Sequence, residues 1–179
     1  MKKESHDKDA REYTVLAVGL GELLPKDITM ANSLIAEYKK NTAMAALIKT
    51  ICEAVYSLND GADMSDELSI AAIFRAGMVD STTKDFFGDK MVPPDSFLGE
   101  NGAIFFVLQG KDVVKRTVQM VESLPFPKST LHASSTKEEA HREFRIIRNV
   151  NAPGWLRFGP WNINPTPKPL AFSAPGPTA

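Results

Sequence analysis

Seven of the twelve prolines fall in the last 27 residues, from Pro153 onward. Proline fixes φ and donates no backbone hydrogen bond, so this stretch is excluded from helices and inner strands. The tail is expected to be extended or disordered, and the core has to be built from what precedes it. Three segments follow: a charged leader over 1–12, one globular domain over 13–150 and a Pro-rich arm over 151–179. The leader holds eight charged side chains and almost nothing to bury, so ordering it alone is unfavourable.

A chain of 179 residues with 43% hydrophobic content has enough material for one sizeable core. Tyr13 to Leu20 is rich in β-branched and aliphatic residues and is closed by Gly21 and Pro25, which predicts a short buried strand. Ile28, Ala31, Leu34, Ile35 and Tyr38 recur at helical spacing. A second helical run carries Met44, Leu47, Ile48, Ile51, Val55 and Leu58 up to the Asn59-Asp60-Gly61 turn, and the two runs are expected to pair as a hairpin. Ser65 can cap a third helix through Leu68, Ile70, Ala71, Ala72, Ile73 and Phe74, with so little polar face that it should be central.

Residues 80–102 are punctuated by Gly and Pro and read as an irregular connection with a brief helix at 82–87. Ala103 to Leu108 reads as a buried strand, and Asp112 opens a helix striped by Val114, Val118 and Val121. Two overlapping capping boxes, Ser135 with Glu138 and Thr136 with Glu139, start a last helix. Its end is ambiguous, because Phe144 to Val150 suits helix or strand. The fold expected from these runs is mainly α with two or three short strands. The second reading is α+β, with helices packed on a small sheet, since Tyr13–Leu20 and Ala103–Leu108 would pair.

No cofactor or metal is expected. Gly19-Leu20-Gly21 follows a strand, but the third glycine position of a dinucleotide fingerprint is Leu24. The acids from Asn59 to Glu67 fail the EF-hand register, which would put Tyr56 and Leu58 in ligand positions. Cys52, the only cysteine, lies among apolar neighbours and reads as packing. A thiolate nucleophile would need a base such as His132 or His141 beside it. G-x-S-x-G is absent, and no catalytic residue is assigned. No apolar stretch approaches the roughly 20 residues that span a bilayer, and the N-terminus lacks a signal-peptide pattern. A cytoplasmic or virion location fits these features.

The carboxyl third carries the functional signal. Lys137, Arg142, Arg145, Arg148, Arg157 and Lys168 face only Glu138, Glu139 and Glu143 over residues 137–168, although the whole chain is at −1. The arm adds Trp155, Leu156, Phe158, Trp161, Ile163, Leu170 and Phe172. Each such side chain contributes about 1.5–3 kcal/mol when buried, and an ordinary linker has no use for them. Proline has already stiffened the arm, which at about 3.1 Å per residue reaches roughly 80 Å, far enough to cross onto another subunit. The expectation is a non-enzymatic coat, matrix, sheath or scaffold subunit. Its partners are other copies of itself, and its interface is Trp155, Leu156, Phe158, Trp161, Ile163 and Phe172. The alternative is a single-stranded nucleic-acid binder using Arg142, Arg145, Arg148, Arg157, Trp155 and Trp161, since cations and stacking faces together suit that partner. A third reading is that the tail folds back on its own domain, with both tryptophans filling a groove.

Overall fold

The computed structural model describes residues 12–21, 23–24, 33–63, 66–78, 80–88, 97, 102–148 and 155–157. Its elements are β1 (Glu12–Gly19), α1 (Ser33–Ser57), β2 (Ser69–Met78), α2 (Asp80–Phe87), β3 (Ala103–Gly110), α3 (Val113–Val121), a 3-10 turn (Lys128–Thr130), β4 (Leu131–Ala133), α4 (Lys137–Ile147) and β5 (Trp155–Arg157). The strands form one sheet in the order β4-β1-β3-β2-β5, antiparallel at every junction. β1 and β2 leave a gap that β3 fills, and β4 lies outside β1. That is the split β-α-β arrangement of ferredoxin-like sheets, extended by β5 beyond β2.

The mainly α expectation is therefore wrong, and the described residues form five strands where two or three were foreseen. Helices packed on a sheet, the second reading, describe the chain. The largest single error is the helix expected through Leu68–Phe74, whose residues from Ser69 onward belong to β2. The cause lies in a β-bulge. Ile70 pairs with Leu108 and Ala72 with Val107, so Ala71 is an extra residue. A bulge shifts the alternation by one position. Ile70 and Ile73 consequently face the same side three residues apart, which counterfeits helical spacing. A strand buried on both faces also reads as a continuous apolar run, and periodicity alone cannot separate it from a buried helix. The Ser65 cap lies outside the described residues.

The expected helical hairpin is corrected as well. From Ser33 to Ser57 the chain is one helix, α1, with no break between the two expected runs. Ile28 and Ala31 lie outside the described residues. Met44, Leu47, Ile48, Ile51 and Val55 are buried, whereas Tyr38 is 72% exposed. Among its described side chains, the buried ones begin at Met44.

Both sheet faces are covered. On one, Leu16 and Val18 of β1, Ile104, Phe106 and Leu108 of β3, and Ile70 and Ile73 of β2 meet α1 and α3 in one cluster. On the other, Val15, Ala17, Phe105, Val107, Ala72 and Ala76 meet Phe86 and Phe87 of α2, Phe97, and Ile147 of α4. Tyr13 stacks on Phe144 of α4, with ring centroids 5.4 Å apart. Two-sided cover explains why all eight residues of β3 are buried and why β1 and β3 have no polar alternation.

α4 begins at its second capping box. The Thr136 hydroxyl accepts from the Glu139 amide at 3.1 Å, and the Glu139 carboxylate accepts from the Ser135 amide at 2.7 Å and its hydroxyl at 2.6 Å. Burial works against the charge on Glu139, but the Ser135 bonds outweigh it and hold the carboxyl below its usual range. The helix continues to Ile147 with Arg148 as its C-cap, which resolves the ambiguity after Phe144 in favour of helix.

Candidate functional site

α4 and β4 meet through a buried polar cluster. Ala140, Glu143 and Ile147 are the buried residues of α4, so the carboxylate lies in the middle of an apolar stripe. Glu143 Oε1 is 2.6 Å from His132 Nε2, and Ser134 Oγ donates to Glu143 Oε2 at 2.6 Å. All three side chains are buried. Phe86 and Phe87 close over the imidazole edge-on, with centroids at 5.4 and 5.0 Å. Arg142 donates to the Phe86 carbonyl at 3.1 Å and ties α4 to α2.

The order of this cluster decides its chemistry. The carboxylate stands between serine and imidazole, whereas base activation of a serine needs the imidazole in the middle. His132 Nε2 and the Ser134 hydroxyl both point at Glu143, so the group fastens α4 to β4. Removing its central member would leave two buried polar groups without their partner.

Cys52 is remote from this histidine. Its helix packs on the α1/α3 face, whereas His132 contacts the phenylalanines of the opposite face. Burial, and then the charge of Glu53, push the Cys52 thiol up from its ordinary value, away from the thiolate state a nucleophile needs. His141 is exposed on α4. Among the described residues, no three His, Cys, Asp or Glu side chains gather to hold a metal ion. None of the described helices is long and apolar enough to cross a membrane.

A second locus opens to solvent. Between α3 and the start of α4 lies a cleft of about 480 Å³, lined by Glu12, Asp112, Val114, Lys115, Val118, Gln119 and Ser135 to Lys137. The β3–α3 turn positions its α3 wall. Gly110 has φ +149°, and a Cβ there would sit 2.5 Å from Leu68 Cδ2 and 3.0 Å from the Glu67 carbonyl, so only glycine fits. Arg116 then donates to the Asp66 carbonyl at 2.7 Å and the Leu58 carbonyl at 2.9 Å, pinning α3 to the loop after α1. Asp112 precedes α3 in the left-handed region at φ 52° and makes no side-chain capping bond. Its carboxylate is not the cap that the sequence suggested.

On the α4 side, Lys137 Nζ is 2.5 Å from Glu12 Oε1. This hydrogen bond, and then the Glu12 charge, raise the Lys137 ammonium above its usual range, and Asp112 adds to the effect. Glu12 Oε2 is buried without a hydrogen bond among the described residues. The sequence placed Glu12 in the leader. Its membership of β1, paired with Gly110, is what brings it to the cleft.

The predicted interface and nucleic-acid residues are spread out. Trp155, Leu156 and Arg157 form β5, whose backbone pairs with Met78, Gly77 and Ala76 of the same chain. Phe158, Trp161, Ile163 and Phe172 lie outside the described residues. Arg142 is engaged at Phe86, while Arg145 and Arg148 are exposed near the end of α4. α4 packs over β1, three strand positions from β5. At about 4.8 Å per strand that is roughly 14 Å.

No family model matches the chain, and no curated protein matches it. Among solved structures, it is similar to the orthorhombic C222 crystal form of the Aquifex aeolicus nucleoside diphosphate kinase, with a TM-score of 0.45 and 17% identity. The alignment covers 77% of this chain and 95% of that one.

Proposed function

We propose that the protein is a non-enzymatic structural subunit that self-associates into a multi-subunit particle or filament through its C-terminal arm. The observation that carries this reading is the arm's composition, because the 22 residues after Arg157 hold Trp161, Ile163, Leu170 and Phe172 with six prolines. Trp155–Arg157 pairs with β2 of its own chain, and strand addition lets the same sheet edge take the strand of another copy instead. Strand exchange keeps the register and lets each apolar anchor find a neighbouring body.

The mass of the full chain and of a chain ending at Ala152 tests this by light scattering. The full chain is expected as a multiple of one subunit and the shortened chain as a folded monomer. Equal masses with equal melting temperatures would overturn the proposal.

A second reading is single-strand nucleic-acid binding. It is favoured by the helical course of α4, which sets exposed His141, Arg145 and Arg148 on one stripe. Phosphate-driven binding weakens steeply as salt rises, whereas apolar strand exchange does not.

A further inference from the structure

We propose that the cleft between α3 and the start of α4 binds a free amino acid with an apolar side chain. This goes beyond the assembly reading and does not depend on it. The cleft is within the size of small-molecule sites. Its lining is balanced in charge, with two carboxylates (Glu12, Asp112) and two ammonium groups (Lys115, Lys137). Among the described residues, only Lys137 and one oxygen of Glu12 pair with each other.

The remaining groups divide by sign. Asp112 is held in a left-handed backbone conformation without a side-chain capping bond, and Glu12 Oε2 has no hydrogen-bond partner among the described residues. Backbone strain of this kind is retained where it aims a side chain. These two acids suit an ammonium group. Lys115 and the first-turn amides of α4 suit a carboxylate, since Thr136 occupies only the Glu139 amide. Val114 and Val118 supply an apolar wall, and Val118 is 38% exposed. A pure anion such as phosphate meets Asp112 and Glu12, and a pure cation meets Lys115 and the positive end of α4. A zwitterion with a hydrocarbon side chain answers all three features.

The test is titration of the full chain with L-leucine and L-phenylalanine while amide chemical shifts are followed, with 4-methylpentanoate and 3-methylbutylamine as single-charge arms. Saturable shifts are expected over 112–119 and 135–137 with at least one of the amino acids. Each single-charge compound should bind about tenfold or more weakly, the effect of losing one charge-assisted contact. Asp112→Asn keeps a residue that tolerates φ > 0, and Lys115→Gln changes an exposed side chain. Both should weaken binding about tenfold at unchanged melting temperature. Absence of saturable shifts at millimolar amino acid, shifts confined to other residues, or equal affinity for the single-charge compounds would overturn the proposal. So would wild-type affinity in both variants. Since the arm is intact throughout, failure here leaves the assembly reading standing, and monomeric behaviour leaves this one standing.

Discussion

The two faces of the sheet are closed by different physics. Under α1 and α3 the contacts are almost wholly aliphatic, from Leu16, Leu47, Ile48, Ile51, Val55, Ile104 and Leu108. Under α2 and α4 the cover is aromatic, with Phe86, Phe87, Phe97 and Phe105 meeting edge to face, and the His132–Glu143–Ser134 cluster lies beside it. Dispersion contacts between aliphatic groups tolerate changes of shape at constant volume. Hydrogen bonds in a dry interior do not, because a lost partner leaves a desolvated polar atom behind. One face therefore supplies burial, and the other fixes which helix position is correct.

The widest gap between the faces should appear at Glu143. Glu143→Ala strips His132 and Ser134 of their shared partner, and urea unfolding should show a loss of about 2–5 kcal/mol, the cost of leaving two buried polar groups unsatisfied. A loss below about 1 kcal/mol would mean that α4 is held by packing alone. Ser134→Ala removes one donor and leaves the carboxylate intact, for an expected cost of about 1–3 kcal/mol. On the other face, Leu47→Met conserves volume and should cost less than about 1.5 kcal/mol. If it costs as much as Ser134→Ala, the contrast between the faces fails.

The smallest effect concerns pH on the aliphatic side. Because burial and Glu53 push the Cys52 thiol above its ordinary value of 9.0, the unfolded chain releases that proton first. Stability should then decline as pH rises through about 9 and beyond. Cys52→Ala should flatten that slope in melting curves recorded from pH 8 to 10. An unchanged slope would assign it to other groups.

Much of the fold could be read from the residues, and the failures have physical causes. β1 and β3 announced themselves because each is a short apolar run closed by glycine or proline. α4 was legible from Thr136 and Glu139, whose bonds recur in the structure. β2 was hidden by burial on both sides and by its bulge. α1 was cut in two because Lys39-Lys40-Asn41 puts three polar residues between the two apolar runs, and the largely exposed helix positions 38–42 carry such residues at little cost. The buried cluster was missed because Glu143 counted as one acid among several. Its signal was present in the spacing Ala140–Glu143–Ile147, where a carboxylate falls on an apolar stripe. The cleft left no comparable trace, since Glu12, Asp112, Lys115 and Lys137 come together only through pairing of β1 with β3 and the docking of α3 and α4.

Ala71 carries a further implication. In an evenly alternating strand, losing one residue turns every later side chain to the wrong side of the sheet. Here the supernumerary alanine already separates two phases, so its deletion leaves Ile70, Ala72, Ile73 and Phe74 on the sides they now occupy. Within β2, this is where a natural gap in chain length can be absorbed with both cores unmixed.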